Sequence, residues 1–185
     1  MDIAIKKTLG YKERDEEKRR EFKEFLNNVS SEQLIYLDES GFYEGDAFKY
    51  GWNSKGKRLE GLVLGRKKKS FNLIGALQNK KLLAPFIFEG SCNTEVFNEY
   101  AEKILKPILK PGTYLILDNA SFHRSSNIIE IAKEKCCVVR YLPPYSPDLN
   151  KIEHYWHSVK TIVRKAVRDG RKDIQNVIGD AFESV

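Results

Sequence analysis

Three carboxylates in this 185-residue chain stand where a carboxylate can do chemistry. Asp38 follows the apolar run 34–37, Asp118 follows the apolar run 114–117, and Glu153 lies near the start of an amphipathic segment. Carboxylates that converge on one point repel one another unless a cation neutralises them, and hard oxygen ligands select Mg²⁺ or Mn²⁺. The pattern therefore predicts a divalent-metal site of the kind that serves phosphoryl transfer, in which two ions flank an in-line displacement.

Each of these carboxylates also has a purely structural interpretation. An aspartate at the end of a strand commonly forms a turn or caps a helix. Asn150 and Glu153 have the spacing of a capping box, in which Glu153 would only satisfy backbone amides. Against this, Glu153, His157, Lys160 and Arg164 share one helix face, which suits a metal site with phosphates beyond it.

Polar residues near the carboxylates are candidates for supporting roles. Asn119 could orient Asp118 or substrate, although Asp-Asn at the end of a strand is also ordinary turn chemistry. His123 and His157 are further candidates, but such histidines are more often ordinary polar residues than ligands.

Apolar periodicity predicts the elements that position these residues. Strands are expected at 33–37, 69–78, 82–88, 114–117 and 136–141, with a further short strand at 48–52. Gly41 predicts a turn after the acidic residues, and Pro85 predicts an edge strand. Helices are expected at 93–109, 125–134 and 150–168, and from 173 onwards.

The order of these elements predicts an α/β fold with a mixed sheet flanked by helices. If strand 33–37 and strand 114–117 are parallel neighbours, Asp38 and Asp118 emerge side by side, where open α/β sheets place their sites. The domain organisation expected is a solvated lead-in helix within residues 1–30, one catalytic domain at 31–168 with an insertion at about 42–70, and a short C-terminal helix at 169–185.

Composition indicates a soluble protein, and its moderately basic charge fits a polyanionic partner, although many housekeeping proteins have a similar charge. The net charge is +6 and the pI is about 9.1. No apolar run approaches the ~20 residues that a membrane helix needs, and no signal peptide is evident, so the cytoplasm is the expected compartment. The three cysteines lack the spacing of a disulfide framework or of a metal site.

A basic stretch between the first two long strands is the candidate nucleic-acid contact. Its cations could bind phosphates while a tryptophan stacks on bases, although a solvated loop has the same composition. The candidate residues are Trp52, Lys55, Lys57, Arg58, Arg66, Lys67, Lys68 and Lys69.

Three sequence blocks resemble a known family. YLDESGF, LILDNASFHRS and LPPYSPDLNKIEHYW are similar to the catalytic blocks of bacterial insertion-sequence transposases of the mariner-type superfamily, which are DDE transposases with an RNase H-like fold. The resemblance covers about residues 33–168 and includes the 34-residue gap between Asp118 and Glu153, and YGWNSKGKR resembles a block in that family's insertion. It implies that Asp38, Asp118 and Glu153 are the metal-binding catalytic triad and that two Mg²⁺ or Mn²⁺ ions serve cleavage and strand transfer of DNA. It also implies a five-stranded sheet and a homo-oligomer assembled on transposon ends.

Two departures from the family pattern carry expectations of their own. Lys151 stands where the family usually has proline, which predicts a small loss of rigidity at the helix start. No helix-turn-helix pattern precedes residue 33, so the chain is expected to be the catalytic half of a split transposase that works with a helix-turn-helix segment in cis or in trans. The alternatives are a catalytically silent DNA-binding remnant and a stand-alone RNase H-like nuclease.

Overall fold

The computed structural model describes residues 11–43, 54, 56–57, 70–171 and 173–185. It contains the strands β1 (Leu34–Tyr43), β2 (Ser70–Gln78), β3 (Lys81–Glu89), β4 (Tyr114–Leu117) and β5 (Val138–Tyr141). The α-helices are α1 (Glu16–Asn28), α2 (Thr94–Tyr100), α3 (Ser126–Glu134), α4 (Lys151–Arg168) and α5 (Ile174–Glu183). The strand expected at 48–52 lies outside the described residues.

The five strands form one mixed sheet in the order β3-β2-β1-β4-β5. β1, β2 and β3 form an antiparallel meander, and β4 and β5 join it as parallel strands on the side of β1. The predicted α/β class is confirmed, and β1 and β4 are the parallel neighbours on which the site depends. Pro85 lies in β3, an edge strand, as its missing N–H donor predicts.

The first strand runs further than the sequence predicts. An end before Asp38 and a turn at Gly41 are expected, and both expectations are wrong, because β1 continues to Tyr43. The pairs with β4 end at Tyr36, whereas the antiparallel pairs with β2 continue from Ile35 to Tyr43. Asp38 therefore lies within a strand but just beyond its parallel ladder, since β2 alone supplies the later hydrogen bonds.

Helices cover both faces of the sheet, with a separate hydrophobic cluster under each. Alternation along β1 directs Leu34 and Tyr36 to the face that α1, α4 and α5 cover. Ile35 and Leu37 point to the opposite face, which α2 and α3 cover. Asp38 therefore follows the first set and Glu39 the second. None of the helices in the described part of the chain is both long and apolar enough to cross a membrane.

Helix α4 packs against the sheet through Trp156, which is 1% exposed. A Cβ atom added to Gly75 of β2 would lie 2.9 Å from the Trp156 ring and 2.9 Å from Leu82 Cδ1. Gly75 pairs with Asp38 in the neighbouring strand. The close approach that glycine permits thus brings α4, and Glu153 one turn before Trp156, up to the strand that carries Asp38.

The N-terminal helix α1 is anchored more firmly than its polar sequence predicts. A solvated helix is expected, but Phe22 is buried in the cluster beneath α4 and α5. Arg19 is also buried, and its guanidinium binds both carboxylate oxygens of Asp148 at 3.0 and 2.7 Å. This bidentate pair joins α1 to the loop that precedes α4.

Candidate active site

Asp38 is a buried carboxylate, 8% exposed, on the face of the sheet that α4 covers. Its Oδ2 accepts a hydrogen bond of 3.3 Å from Asn150 Nδ2. Burial raises the pKa of Asp38 well above its ordinary value, and the charges of Glu39, Glu153 and Asp118 raise it further. An extra cation at this position would relieve both effects.

Asp118 lies just after β4 and is oriented by two donors that share one of its oxygens. Oδ1 accepts a hydrogen bond of 2.8 Å from the Ala120 amide and lies 2.6 Å from His123 Nδ1. The hydrogen bond from His123 lowers the pKa of Asp118 against the opposing effect of partial burial, and the Ala120 amide lowers it further. Both contacts fall on Oδ1, so Oδ2 is the oxygen that can bind another group.

His123 connects Asp118 to a second carboxylate, Glu39. Its ring is fully buried against Phe97 and Phe122, and Nε2 lies 2.8 Å from Glu39 Oε1. Burial alone would lower the pKa of His123, but the hydrogen bonds to Asp118 and Glu39 outweigh it and raise the pKa to about 9. At neutral pH the ring is therefore an imidazolium that donates from both nitrogens, which fixes its orientation.

Glu153 lies in the first turn of α4 and is exposed. The capping box that its spacing allows is not formed, because the Asn150 side chain makes no capping hydrogen bond. Asn150 is 3% exposed and uses Nδ2 on Asp38 instead, while its buried Oδ1 has no partner in the described structure. The carboxylate of Glu153 is thus free of a capping role.

A cavity of about 440 Å³ brings the three predicted carboxylates together. Asp38, Asp118 and Glu153 all line it, and the proline-rich loop 143–147 forms one wall. Among the described residues, no three acidic, histidine or cysteine side chains are already gathered around a point where one ion could lie. The three carboxylates that line the cavity are nevertheless oxygen ligands, and Asn150, whose buried Oδ1 has no hydrogen-bond partner among the described residues, lines it as well. This set suits a hard divalent cation.

The other predicted site residues differ in how close they lie to the carboxylates. The Asn119 side chain makes no hydrogen bond to Asp118 in the described structure. Its Nδ2 donates to the Leu142 carbonyl at 2.7 Å, and its Oδ1 accepts from Arg124 at 2.7 Å. His157 is exposed, one turn beyond Glu153, and Lys160 lies with Nζ 5.8 Å from the centre of the Phe42 ring. Arg164 follows on α4 and is partly buried.

One member of the predicted basic contact, Lys57, lies within the described residues, and its side chain is exposed. The other members lie outside the described residues, namely Trp52, Lys55, Arg58, Arg66, Lys67, Lys68 and Lys69.

Two residues of the site were missed by sequence reasoning. Glu39 is adjacent to Asp38 but points to the opposite face, where it meets a histidine 84 positions away. The sequence predicts only a helix-capping role for Asn150, whereas its side chain reaches Asp38 across 112 positions. For Glu39, the available sequence signal was the Asp38-Glu39 doublet together with a histidine five residues after Asp118.

The mixed five-stranded sheet with helices on both faces matches the RNase H-like fold of transposase and integrase catalytic cores. The chain belongs to the DDE superfamily endonucleases, whose family model matches residues 33–175. No curated protein matches the chain significantly in sequence.

Solved structures share this fold at low sequence identity. A pre-cleavage Mos1 transpososome has a TM-score of 0.61 and 12% identity, and the match covers 98% of this chain and 64% of that chain. The Mos1 mariner paired end complex with Mn has a TM-score of 0.59 and 13% identity, with 99% and 64% covered.

A simian T-cell lymphotropic virus intasome in complex with PP2A regulatory subunit B56 gamma is similar over a smaller part. Its TM-score is 0.53 at 11% identity, and the match covers 82% of this chain and 47% of that chain. At these identities the similarity concerns the fold alone. The present chain spans 64% of the length of the Mos1 chains that it matches.

Proposed function

We propose that this chain is the catalytic domain of a mariner-type insertion-sequence transposase, which cleaves DNA strands and joins the freed 3′ end to target DNA in a metal-dependent reaction. The observation that carries the proposal is the placement of Asp38, Asp118 and Glu153 around one cavity in a chain of the DDE superfamily. One of the Mos1 structures with this fold is a paired end complex with Mn, which supports the choice of metal.

The residues of the cavity fit a divalent cation. Asp38, Asp118 and Glu153 would hold it, with Asn150 Oδ1 as an additional oxygen, and Mg²⁺ or Mn²⁺ are the ions that such a set selects. The buried charge of Asp38 is costly without a cation, because burial and three neighbouring carboxylates all disfavour its ionised form. Two ions are the expected number for an in-line displacement at phosphorus.

The chain's own residues would prepare the reaction as follows. Asp38, Asp118 and Glu153 would hold divalent ions, which when bound would activate the attacking oxygen and neutralise charge on the leaving oxygen. Asn150 holds Asp38, and His123 with the Ala120 amide holds Asp118 through Oδ1, which leaves Oδ2 for a metal ion. Glu153 completes the set from the first turn of α4. In this arrangement neither cleavage by water nor attack by a 3′-hydroxyl requires a covalent link between protein and DNA.

Recognition of a particular transposon end is assigned to a separate segment. The Mos1 chains extend beyond the part that this chain matches, and base-specific contacts commonly come from a helix set in the major groove. We propose that a helix-turn-helix segment, in cis or in trans, supplies this recognition and that copies of the chain assemble on DNA. The protein would then act in the cytoplasm of a bacterial cell, at the nucleoid when it is bound to DNA.

The proposal is tested by replacing each carboxylate without changing its size. Asp38→Asn, Asp118→Asn and Glu153→Gln should each abolish Mg²⁺-dependent nicking of supercoiled plasmid DNA, because each removes a ligand whose loss can cost several kcal/mol in the transition state. Glu130→Gln is the matched control, because it also replaces a carboxylate with a carboxamide but at an exposed position on α3. This variant should nick DNA normally.

Thermal unfolding gives a second measurement that does not depend on catalysis. Mn²⁺ should raise the Tm of the native chain and of Glu130→Gln, because an ion that binds only the folded state stabilises it. Asp38→Asn should lose this response. A native chain that neither nicks DNA nor responds to Mn²⁺ would favour the silent remnant, and preferential cutting of an RNA–DNA hybrid would favour the stand-alone nuclease.

A further inference from the structure

A second groove opens directly beside the catalytic cavity. It has a volume of about 480 Å³ and lies between α1, the edge strand β5 and the loop that follows β5. Asn119 and residues 142–144 line both the groove and the catalytic cavity, so the two lie side by side. A DNA strand bound at the cavity would therefore pass close to this groove.

Three exposed cations line the groove against a single carboxylate among its described lining residues. The cations are Lys18, Arg124 and Arg140, and the carboxylate is Glu21. The nearby Arg14 and Arg19 are already paired with Asp148. By contrast, Arg124 and Arg140 form no ion pair with any carboxylate in the described part of the chain. Their charge is available to an external anion.

Both arginines are held in place by neutral groups. Arg124 Cζ lies 5.8 Å from the centre of the Tyr141 ring, and its Nη2 donates to Asn119 Oδ1 at 2.7 Å. Arg140 Cζ lies 4.7 Å from the centre of the Phe25 ring. A guanidinium on an aromatic face keeps its charge, and its in-plane donors match the geometry of phosphate oxygens.

We propose that this groove, which we name the α1–β5 groove, binds the phosphodiester backbone of the DNA strand next to the phosphate that reacts. The inference rests on the proposed function and adds to it the path of the substrate. Arg124 and Arg140 each take a phosphate. Lys18 lies on the opposite wall, where its Nζ is paired with Asp15 Oδ2 at 3.1 Å. Asn119 links the groove to the cavity, because its side chain accepts a hydrogen bond from Arg124 and it follows Asp118 in the chain.

The salt dependence of DNA binding tests the assignment. Affinity for labelled duplex DNA is measured in EDTA at several salt concentrations, so that binding is recorded without cleavage. Arg124→Gln and Arg140→Gln should each weaken binding and reduce the slope of log K against log salt by about one, because each phosphate contact releases counterions. Arg20→Gln is the matched control, since Arg20 is exposed on α1 but lies outside the described groove lining.

Photo-crosslinking locates the DNA independently of affinity. A benzophenone amino acid replaces either Lys18 or Arg20, which point in different directions from α1. Crosslinks to DNA from position 18 and few or none from position 20 are expected. Equal crosslinking from both positions, or unchanged salt slopes in both arginine variants, would overturn the groove assignment. Tighter binding of an RNA–DNA hybrid that depends on the same arginines would overturn DNA as its occupant.

The outcome for the groove is separable from the outcome for the catalytic proposal. Altered slopes and selective crosslinks in a chain that never nicks DNA would support the groove and contradict the proposed activity. Normal nicking with unaltered slopes would contradict the groove alone.

Discussion

Orientation of a single carboxylate oxygen is the central feature of this site at the scale of residues. Asp118 Oδ1 is engaged by protein donors, and the buried His123 that engages it is itself held by Glu39. Partners behind a metal-binding carboxylate commonly set its direction and its affinity. Glu39 therefore holds His123 from the opposite face of the sheet, while its charge also acts on Asp38.

Two substitutions of His123 separate its two contacts. The amide of asparagine can occupy the place of Nδ1, whereas the amide of glutamine can occupy the place of Nε2. His123→Asn should keep the contact with Asp118 and retain more activity than His123→Gln, which should lose about 10–100-fold in Mn²⁺ affinity or nicking rate. Calorimetric titration with Mn²⁺ and plasmid nicking are the measurements.

Glu39→Gln provides the complementary comparison, since it keeps a group at the same distance but removes the charge. A smaller effect than that of His123→Gln is expected, because Glu39 does not face the cavity. Equal activity of the asparagine and glutamine variants of His123, at equal thermal stability, would contradict a positioning role.

Among the secondary-structure elements, the packing of α4 against the sheet determines the position of Glu153. Gly75 leaves room for the Trp156 ring, and Gly75 pairs with Asp38. The same contact therefore sets the distance between the strand and the helix that carry two of the three carboxylates. Packing in protein interiors is dense, so a single added methyl group at this contact is felt.

Gly75→Ala tests this packing contact between α4 and the sheet. The new Cβ would meet the buried Trp156 ring at 2.9 Å, and relief of the overlap requires α4 to move outward. We expect a loss of about 1–3 kcal/mol in the free energy of unfolding, together with reduced nicking, because Glu153 moves with the helix. Urea denaturation measures the first effect. Gly179→Ala on α5, where no atom outside its own neighbourhood lies within 4 Å of the added Cβ, is the control. It should leave nicking unchanged and raise rather than lower the free energy of unfolding, by about 1 kcal/mol or less, because alanine favours a helix interior over glycine.

The junction between α1 and the loop before α4 predicts a dependence of stability on pH. The hydrogen bond from Arg19 lowers the pKa of Asp148 below its ordinary value, and the charges of Arg19 and Arg14 act in the same direction. A carboxylate with a lowered pKa in the folded state contributes stability above its unfolded pKa and loses it as pH falls through the folded value.

Asp148→Asn should therefore destabilise the protein at neutral pH and have little effect in strong acid. The expected loss is about 1 kcal/mol or less, because Asp148 is about half exposed and solvent screens the pair. Denaturation curves of both proteins between neutral pH and about pH 3 measure the difference. A difference that stays constant with pH would show that the ion pair is not its source.

At the scale of the whole molecule, the charge distribution predicts how the chain binds DNA. The net charge is +6, and the cations of the α1–β5 groove can reach phosphates but carry no information about base sequence. We expect this 185-residue chain to bind duplex DNA with a Kd on the order of micromolar or weaker at physiological salt and without preference for its own transposon ends.

Competition between end-sequence and scrambled duplexes measures this preference. Supplying a helix-turn-helix segment, fused or in trans, should introduce a preference for the end sequence. A clear preference by the chain alone would place base recognition within these 185 residues.

Local sequence patterns predicted most of the elements, and they singled out the three carboxylates of the proposed triad. Strands β2, β3 and β4 and helices α3 and α4 lie within two residues of their predicted bounds, because apolar periodicity and end signals are local properties of the chain. The blocks that carry Asp38, Asp118 and Glu153 were likewise readable in order and spacing.

Only the tertiary structure decided which residues support that site. The length of β1 depends on pairing with β2, which no local signal at Gly41 indicates. The roles of Glu39, His123 and Asn150 depend on contacts across as many as 112 positions, and Arg124 and Arg140 share a groove only because α1 packs beside β5. Local periodicity says which face of an element is apolar, whereas the partner of a buried polar group is chosen by whatever the packed chain brings within hydrogen-bond distance.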